Sequence, residues 1–327
     1  GLFRERVAES GWSALWAPAV QYAPVEAVEV TPTVRLIDPV TPRRALVALA
    51  NPEHAADLLR MGRFLATGQS EGGAVFGVHL VKIPVQTPLP EARERFAERP
   101  RLEKTIGEIA ERTNGYGLIA NGGRPLTETT IEPVIDVAHD VFGSLVGETV
   151  YRQADLLMIG WQGDFNVSRI YNSSVQYVLH NAPADVAVFK DRGLEKVDAI
   201  LVPWGGGPHA QLGLEYAVRI GEATGATIHL LRIVRPGADS DRERENVKNS
   251  VTQILGDYER VHYHVQEGED FMERMQHFLD NGGYDLVIIG ASHEWRIRNF
   301  LFGSIPDVVA DYADCSVLMV RRYLLDR

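Results

Sequence analysis

Short apolar runs alternate with longer amphipathic stretches along the chain from residue 44 onward. The short runs have the length and continuous hydrophobicity of strands that are buried on both faces of a parallel sheet. The longer stretches place apolar side chains at helical spacing, as Leu58, Met61 and Leu65 do. The pattern therefore predicts an α/β fold in which crossover helices connect parallel strands.

The same order of elements occurs twice. The buried runs predict strands at 44–50, 75–83, 126–132, 155–160 and 185–190, and then at 198–204, 227–234, 260–266, 285–290 and 316–321. The amphipathic stretches predict helices at 52–67, 91–113, 134–148 and 168–181, and then at 209–224, 240–256, 270–281 and 303–313. We therefore predict two tandem, doubly wound, parallel five-stranded sheets.

Two markers of the repeat differ in their spacing. The first copy has DLLMIG ending at Gly160 where the second has DLVIIG ending at Gly290, and His54 of the first copy corresponds to His209 of the second. Along the sequence, the two glycines are about 25 residues closer together than the two histidines are. The first copy therefore has about 25 extra residues between these markers, and surface loops tolerate insertions of this length. The sequence therefore predicts an insertion in the first copy around residues 84–124.

Five prolines between residues 18 and 42 exclude a long helix there and favour an extended path. We therefore interpret residues 1–43 as a linker arm, followed by a first domain at 44–192 and a second at 193–327. The chain begins with Gly1 instead of methionine, as expected either of a domain taken from a longer polypeptide or of a residue left over from protein production.

Composition narrows the classes of partner. The formal charge of −11 repels phosphate backbones, which argues against a nucleic-acid partner. The single cysteine, Cys315, excludes an intramolecular disulfide and favours a reducing compartment. No apolar run of about 18 residues and no signal sequence is present in the chain, so the expected location is the cytosol.

Glycine-containing loops follow the fourth strand of each copy, at the carboxyl edge where open parallel sheets bind ligands. In the first copy, Gly160-Trp-Gln-Gly163 is followed by nine residues and then by Ser173-Ser174. In the second copy, Gly290-Ala-Ser-His293 is followed by nine residues and then by Gly303-Ser304. Glycines allow backbone amides to approach a phosphate, and a small hydroxyl residue at a helix N-terminus adds a donor.

This spacing resembles that of the universal stress protein family, over residues 44–323 as two copies. The resemblance implies an adenine nucleotide alpha hydrolase-like, Rossmann-like fold and contacts to ATP, ADP or AMP through the small residues at the motif positions of either copy. Two of these positions depart from the family pattern, at Ser173 and His293. The aspartate that the family places after strand one is replaced by Ala50 and Gly205.

Two alternatives to a nucleotide site follow from the residues themselves. The motif glycines can simply shape strand-to-helix turns inherited with the fold. The loop from Gly205 to Gly207 can be a phosphate nest, or it can be a turn before a helix with Pro208 in its first position. The predicted nucleotide-binding residues are Gly160, Gly163, Ser173, Ser174, Gly205, Gly290, Gly303 and Ser304.

Other polar clusters carry weaker signals. His262 and His264 share one face of a strand but lack further ligands at metal-binding spacing, so we predict no metal site. Asp270 is expected to cap a helix, and Cys315 is expected to be a small core residue without a partner that would activate it. Because no catalytic constellation can be assembled, we expect that the protein is not an enzyme.

The amino-acid sequences of the two copies are similar to those of the cytosolic C-terminal regions of prokaryotic amino-acid permeases in the amino acid–polyamine–cation superfamily. An example is the segment LVPWGGGPHAQLGLEYAVRIGEATGA. This resemblance implies a cytosolic regulatory or assembly domain tethered by its arm to the inner face of the cell membrane. The implied partner is the transmembrane portion of the same polypeptide, with adenine-nucleotide sensing and homodimer formation as further expectations. The alternative is a free-standing tandem universal stress protein that binds ATP or AMP.

The last strands of the two copies, 185–190 and 316–321, are expected to pair edge to edge. Such pairing would cover two otherwise exposed sheet edges, and it predicts an internal pseudo-dimer.

Overall fold

The computed structural model describes residues 43–51, 55–67, 73–96, 98–115, 129–161, 174–291 and 304–324. The strands of the first copy are β1 (Arg44–Ala48), β2 (Ala74–Lys82), β3 (Thr130–Ala138), β4 (Leu156–Gly160) and β5 (Asp185–Lys190). Its described helices are α1 (Ala55–Ala66), α2 (Leu89–Arg95), α3 (Arg99–Gly115), α4 (Val141–Tyr151) and α5 (Ser174–Asn181).

The second copy repeats this order, with one described helix fewer than the first. Its strands are β6 (Ala199–Pro203), β7 (Thr227–Val234), β8 (Val261–Glu267), β9 (Leu286–Gly290) and β10 (Ser316–Arg321). Its described helices are α6 (Pro208–Thr224), α7 (Ser240–Leu255), α8 (Phe271–Gly282) and α9 (Ser304–Tyr312).

All ten described strands form one sheet in the order β3-β2-β1-β4-β5-β10-β9-β6-β7-β8. Neighbouring strands are parallel within each copy. In both copies the chain runs outward from strand one to strand three and then returns to the other side of strand one, which is the doubly wound topology. The predicted α/β class and tandem five-stranded halves are confirmed.

The two halves meet through β5 and β10, which pair antiparallel from Lys190 opposite Val317 to Val186 opposite Arg321. Every residue of both strands is buried. The expected edge-to-edge pairing is therefore confirmed. It removes two strand edges that would otherwise be open to other chains.

The third strand lies later in the chain than the prediction of 126–132, since β3 includes Pro133 and the first residues of the helix predicted at 134–148. Proline cannot donate a hydrogen bond to a sheet ladder, and it is therefore confined to positions such as edge strands. β3 is the outermost strand of the first copy and pairs only with β2 in the described sheet. The following helix, α4, begins after Asp140, whose side chain accepts a hydrogen bond from the Phe142 amide at 3.2 Å.

The predicted helix at 91–113 is two helices, α2 and α3, with Pro100 in the first turn of α3. Helix α3 buries Ile106 and Ile109 in the core, whereas α2 buries none of its side chains. Counting only described helices, the segment between β2 and β3 thus contains one more than the corresponding segment between β7 and β8.

The core consists of two apolar layers, one on each face of the sheet. Leu59, Ile106 and Leu214 belong to one layer, and Leu157 and Met275 belong to the other. Successive strand residues point to opposite faces, so continuous apolar runs serve both layers. Within the described ranges, no helix combines the length and the apolar character needed to cross a membrane.

Candidate functional site

The carboxyl ends of β6 and β9 form the switch point of the second copy, where parallel sheets bind ligands. The pairing of these two strands stops at Leu201 and Val287, before either strand ends. In the first copy the corresponding pairing continues to Ala48 and Ile159. The two switch points therefore differ in geometry, although the topology is the same.

The first turn of α6 packs directly onto the end of β9 at Gly290. A Cβ atom at this position would lie 2.4 Å from the carbonyl carbon of His209 and 2.6 Å from the Ala210 nitrogen. Backbone atoms cannot give way as a side-chain tip can, so this contact requires glycine. The structural interpretation of Gly290 is thus supported independently of any ligand.

Gly160, the counterpart in the first copy, has a different neighbour. Its Cβ would lie 2.9 Å from a methyl carbon of Leu58 on α1. A leucine side chain can change rotamer, so the geometric requirement for glycine is weaker here than at Gly290.

The loop after β6 combines an open segment with a helix N-terminus. Gly205 is exposed, and a Cβ atom added to it would have no heavy atom within 4 Å, while Gly206 has a φ of +76° that favours glycine. Gly207 is the N-cap of α6 without a side-chain cap, and Pro208 occupies the first helical position as predicted. Gly207 has no side chain that could cap the helix, and a helix N-terminus without such a cap is suited to binding an anion.

Side chains from the second strand of each copy contact the carbonyl that follows strand one. The Nδ1–H of His79 on β2 donates to the Leu49 carbonyl at 2.7 Å. In the second copy, Nη1 of Arg232 on β7 donates to the Trp204 carbonyl at 3.4 Å. The next residue in each case, Ala50 or Gly205, stands where the family resemblance predicts an aspartate.

The remaining motif residues are only partly described. Ser174 and Ser304 are the first residues of α5 and α9, so both lie at helix N-termini as the motif predicts. Gly163, Ser173 and Gly303 lie outside the described residues. The structure therefore places Gly160 and Gly290, the first glycine of each motif, at the switch points. Contacts between a phosphate and any of the motif residues stay predictions.

A buried network of charged side chains joins the two copies. Nη1 of Arg43, just before β1, donates to Asp185 at the start of β5 at 2.8 Å, and Nη2 of Arg43 donates to Glu215 on α6. Glu215 is completely buried and also accepts from Nη2 of Arg322 at 2.6 Å. Arg43 and Asp185 flank or belong to the first copy, whereas Glu215 and Arg322 belong to the second.

Further contacts extend this inter-copy network. Arg219 lies one turn after Glu215, with its Nε 3.5 Å from the Glu215 carboxylate, and its Nη1 donates to the Thr67 carbonyl of the first copy at 2.8 Å. The Arg322 amide donates to His209 Nδ1 at 3.0 Å. Because these side chains are buried, losing one partner would leave an uncompensated charge away from water.

Sequence reasoning did not find the inter-copy network. Its signal is the pair Glu215 and Arg219, four residues apart within the apolar stretch LEYAVRI. A carboxylate and a guanidinium on the apolar face of a helix are rarely buried unless they are paired. That placement would have marked α6 as part of a buried polar interface.

The other sequence candidates are placed as follows. His262 and His264 share one face of β8, as expected, and among the described residues no three His, Cys, Asp or Glu side chains are arranged so that they could hold a metal ion. Asp270 caps α8 by accepting from the Met272 amide at 2.7 Å and the Glu273 amide at 3.4 Å, which confirms the capping prediction.

Cys315 is half-buried beside a cavity of about 290 Å³ that Tyr284, Asp285 and Ser316 also line. Burial raises the pKa of its thiol to about 11. Only the thiolate reacts quickly, so we expect alkylation by iodoacetamide near pH 8 to be roughly 100-fold slower in the folded chain than in denaturant. Mass spectrometry of timed samples measures both rates, and equal rates would contradict this environment for Cys315.

Part of the chain is similar to a known protein family. Residues 196–321 match the model of the universal stress protein family. This match makes residues 196–321 similar to a universal stress protein domain. It covers the second copy from just before β6 to the end of β10.

Solved structures share the fold of both copies. A universal stress protein from Archaeoglobus fulgidus is similar with a TM-score of 0.55 and 14% identity, covering 86% of this chain and 96% of that one. The cytoplasmic domain of a prokaryotic cation chloride cotransporter is similar with a TM-score of 0.54 and 11% identity, covering 86% of this chain and 95% of that one. At these identities the similarity concerns the fold.

A curated relative is the chloroplastic cation/H(+) antiporter 23 of Arabidopsis thaliana, which is 24% identical over 355 residues. The match includes 89% of this chain, and the chain spans 39% of the antiporter's length. The two copies are therefore similar in fold to a universal stress protein and to the cytoplasmic domain of a cotransporter, and similar in sequence to part of an antiporter.

Proposed function

We propose that this chain is a regulatory or assembly module of a membrane transporter, acting without catalysing a reaction. The observation that carries the proposal is the similarity to a cotransporter's cytoplasmic domain over 86% of the chain, an extent that requires parts of both copies. The antiporter match, which includes 89% of the chain, supports it.

The species transported by such a partner is a separate question. Both relatives that are transporters are named for cations, one with protons and the other with chloride. We therefore propose a cation transporter as the partner. An amino-acid permease as the partner stays a prediction from sequence resemblance.

Membrane fractionation of the native organism tests whether this chain is attached to a membrane protein. An antibody against this chain should detect a membrane-bound polypeptide that resists alkaline extraction and is much larger than 36.3 kDa. An antigen confined to the soluble fraction at 36.3 kDa would overturn the proposal and favour the free-standing universal stress protein. Light scattering of the purified chain gives its mass in solution and tests the proposed homodimer.

We also propose that the second copy binds an adenine nucleotide at the loop before α6. The exposed Gly205 and the first turn of α6 without a side-chain cap support this proposal. If a phosphate binds there, the substitution Gly205→Val should weaken binding of ATP, ADP or AMP at least about tenfold, because the side chain would stand over the loop amides. Calorimetric titration with and without magnesium measures this effect.

The control for that titration is the unfolding midpoint of the variant, which should be unchanged because a side chain at Gly205 meets open space. The bulky substitution Gly303→Trp tests the predicted terminal glycine of the motif in the same way. If titration with ATP, ADP and AMP produces no heat of binding, the nucleotide proposal is wrong and the glycine loops have only a structural role.

A further inference from the structure

Three histidines lie together near the outer edge of the second copy. His229 on β7 is close to two histidines of β8, with ring centroids 5.2 Å from His262 and 5.3 Å from His264. β8 is the last strand in the sheet order, and among the described strands it pairs only with β7. The histidines therefore connect an outer strand to the rest of the sheet.

His229 and His264 share one hydrogen bond across these strands. Nδ1 of His229 is 3.1 Å from Nε2 of His264, and the ring planes are within 6° of each other. One nitrogen must carry the proton and the other must accept it, because a neutral imidazole has one donor and one acceptor. Two protons cannot occupy the space between the two nitrogens at this distance.

We propose that the His229–His264 pair is a proton-binding site that loosens β8 on acidification. A first added proton binds at an outer nitrogen and leaves the shared hydrogen bond in place, now between an imidazolium and an imidazole. A second added proton makes both facing nitrogens donors, so the hydrogen bond is lost and two positive charges face each other. No further described strand holds β8 from its other side. This inference does not depend on the proposed transporter role.

The surroundings of the pair disfavour the doubly charged form. The titratable and charged groups around it are His262 on the same strand, Tyr284 with its ring 5.2 Å from that of His229, Arg244 on α7, and the exposed His277 on α8 next to Phe278. Phe278 packs edge-on against His264 at 5.3 Å. In the described part of the chain, neither imidazole of the pair has a carboxylate as hydrogen-bond partner.

The direction of the effect follows from the protonation equilibria. Burial and then the neighbouring His264 and His262 lower the pKa of His229 to about 4, and burial together with His262 lowers the pKa of His264. The unfolded chain therefore binds more protons than the folded chain between the ordinary pKa of about 6.5 and the lowered values. The free energy of unfolding therefore has its full value above a pH of about 6.5 and decreases as the pH falls from there towards the lowered pKa values.

The test compares the unsubstituted chain with the double variant His229→Asn, His264→Gln. Asparagine and glutamine amides approximate Nδ1 and Nε2 of histidine, so the variant keeps hydrogen-bonding groups but cannot titrate. Between about pH 7.5 and pH 5, the equilibrium constant for unfolding should rise roughly tenfold more in the unsubstituted chain than in the variant, after allowance for the partial exposure of the pair. Urea unfolding at both pH values gives these constants.

The matched control is His180→Gln, which removes an exposed histidine of the first copy and should respond to pH as the unsubstituted chain does. An equal pH response of the double variant and the unsubstituted chain would overturn the proposal. If the double variant does not fold, imidazole nitrogen resonances of the unsubstituted chain decide the matter. Two separated titration steps are expected for the pair, whereas independent steps near pH 6.5 for both rings would overturn it.

Discussion

Replacing Glu215 with alanine is expected to lower the free energy of unfolding by about 3–5 kcal/mol. The carboxylate is completely buried and accepts hydrogen bonds from Arg43 and Arg322, with Arg219 3.5 Å away. Its removal leaves buried guanidinium groups without their shared counter-charge. Urea unfolding followed by circular dichroism measures the change. If the two copies unfold in separate transitions, the one at lower urea concentration should shift, because the contacts between the copies are lost in it.

The matched control for this prediction is Glu245→Ala on α7. Glu245 forms an ion pair with Lys248 at 2.8 Å, but both side chains are well exposed. Such surface pairs contribute about 0.5 kcal/mol or less. A loss at Glu215 no larger than that at Glu245 would show that the inter-copy network does not hold the two halves together.

The substitution Gly290→Ala is expected to destabilise the chain by about 1–3 kcal/mol, the range for overpacking a filled interior. The added methyl group would lie 2.4 Å from the His209 carbonyl carbon, so α6 would have to move away from β9. A shift of α6 would also disturb Glu215, which lies on the same helix. Thermal or urea unfolding of the purified variant gives the size of the loss.

Two other glycines provide graded controls. Gly160→Ala, at the equivalent position, should lose less because Leu58 can change rotamer. Gly205→Ala should be close to neutral because its Cβ meets open space. If Gly290→Ala were as well tolerated as Gly205→Ala, the close approach of α6 to β9 would be wrong.

The sequence predicted the parts of the fold that depend on local pattern and repetition. Continuous apolar runs such as DLVIIG identified buried strands, and the repeat of their order predicted two equivalent sheets. The pairing of β5 with β10 followed from the need to cover equivalent edges. The error at the third strand arose because the role of Pro133 depends on whether its strand lies at an edge, which is a property of the assembled sheet.

The candidate site was less predictable, since its contacts join residues that are far apart in the chain. Arg43 and Glu215 are separated by 172 positions, and nothing in either local sequence identifies the other. The contact of Gly290 with the His209 backbone likewise depends on how α6 lies on the sheet. The spacing of the motif glycines located the correct edge of the sheet, but their steric role required the packed structure.

The place of β10 has a consequence for how the protein is made. This strand is the last of the described strands in chain order, yet it lies in the middle of the ten-stranded sheet, and Arg322 follows it directly. Until the ribosome has translated β10 and Arg322, β5 lacks its partner strand on that side and Glu215 lacks Arg322 as a hydrogen-bond donor. Nascent chains that terminate before β10 would expose a fully buried, largely apolar strand edge, which is a template for aggregation and a target for quality control.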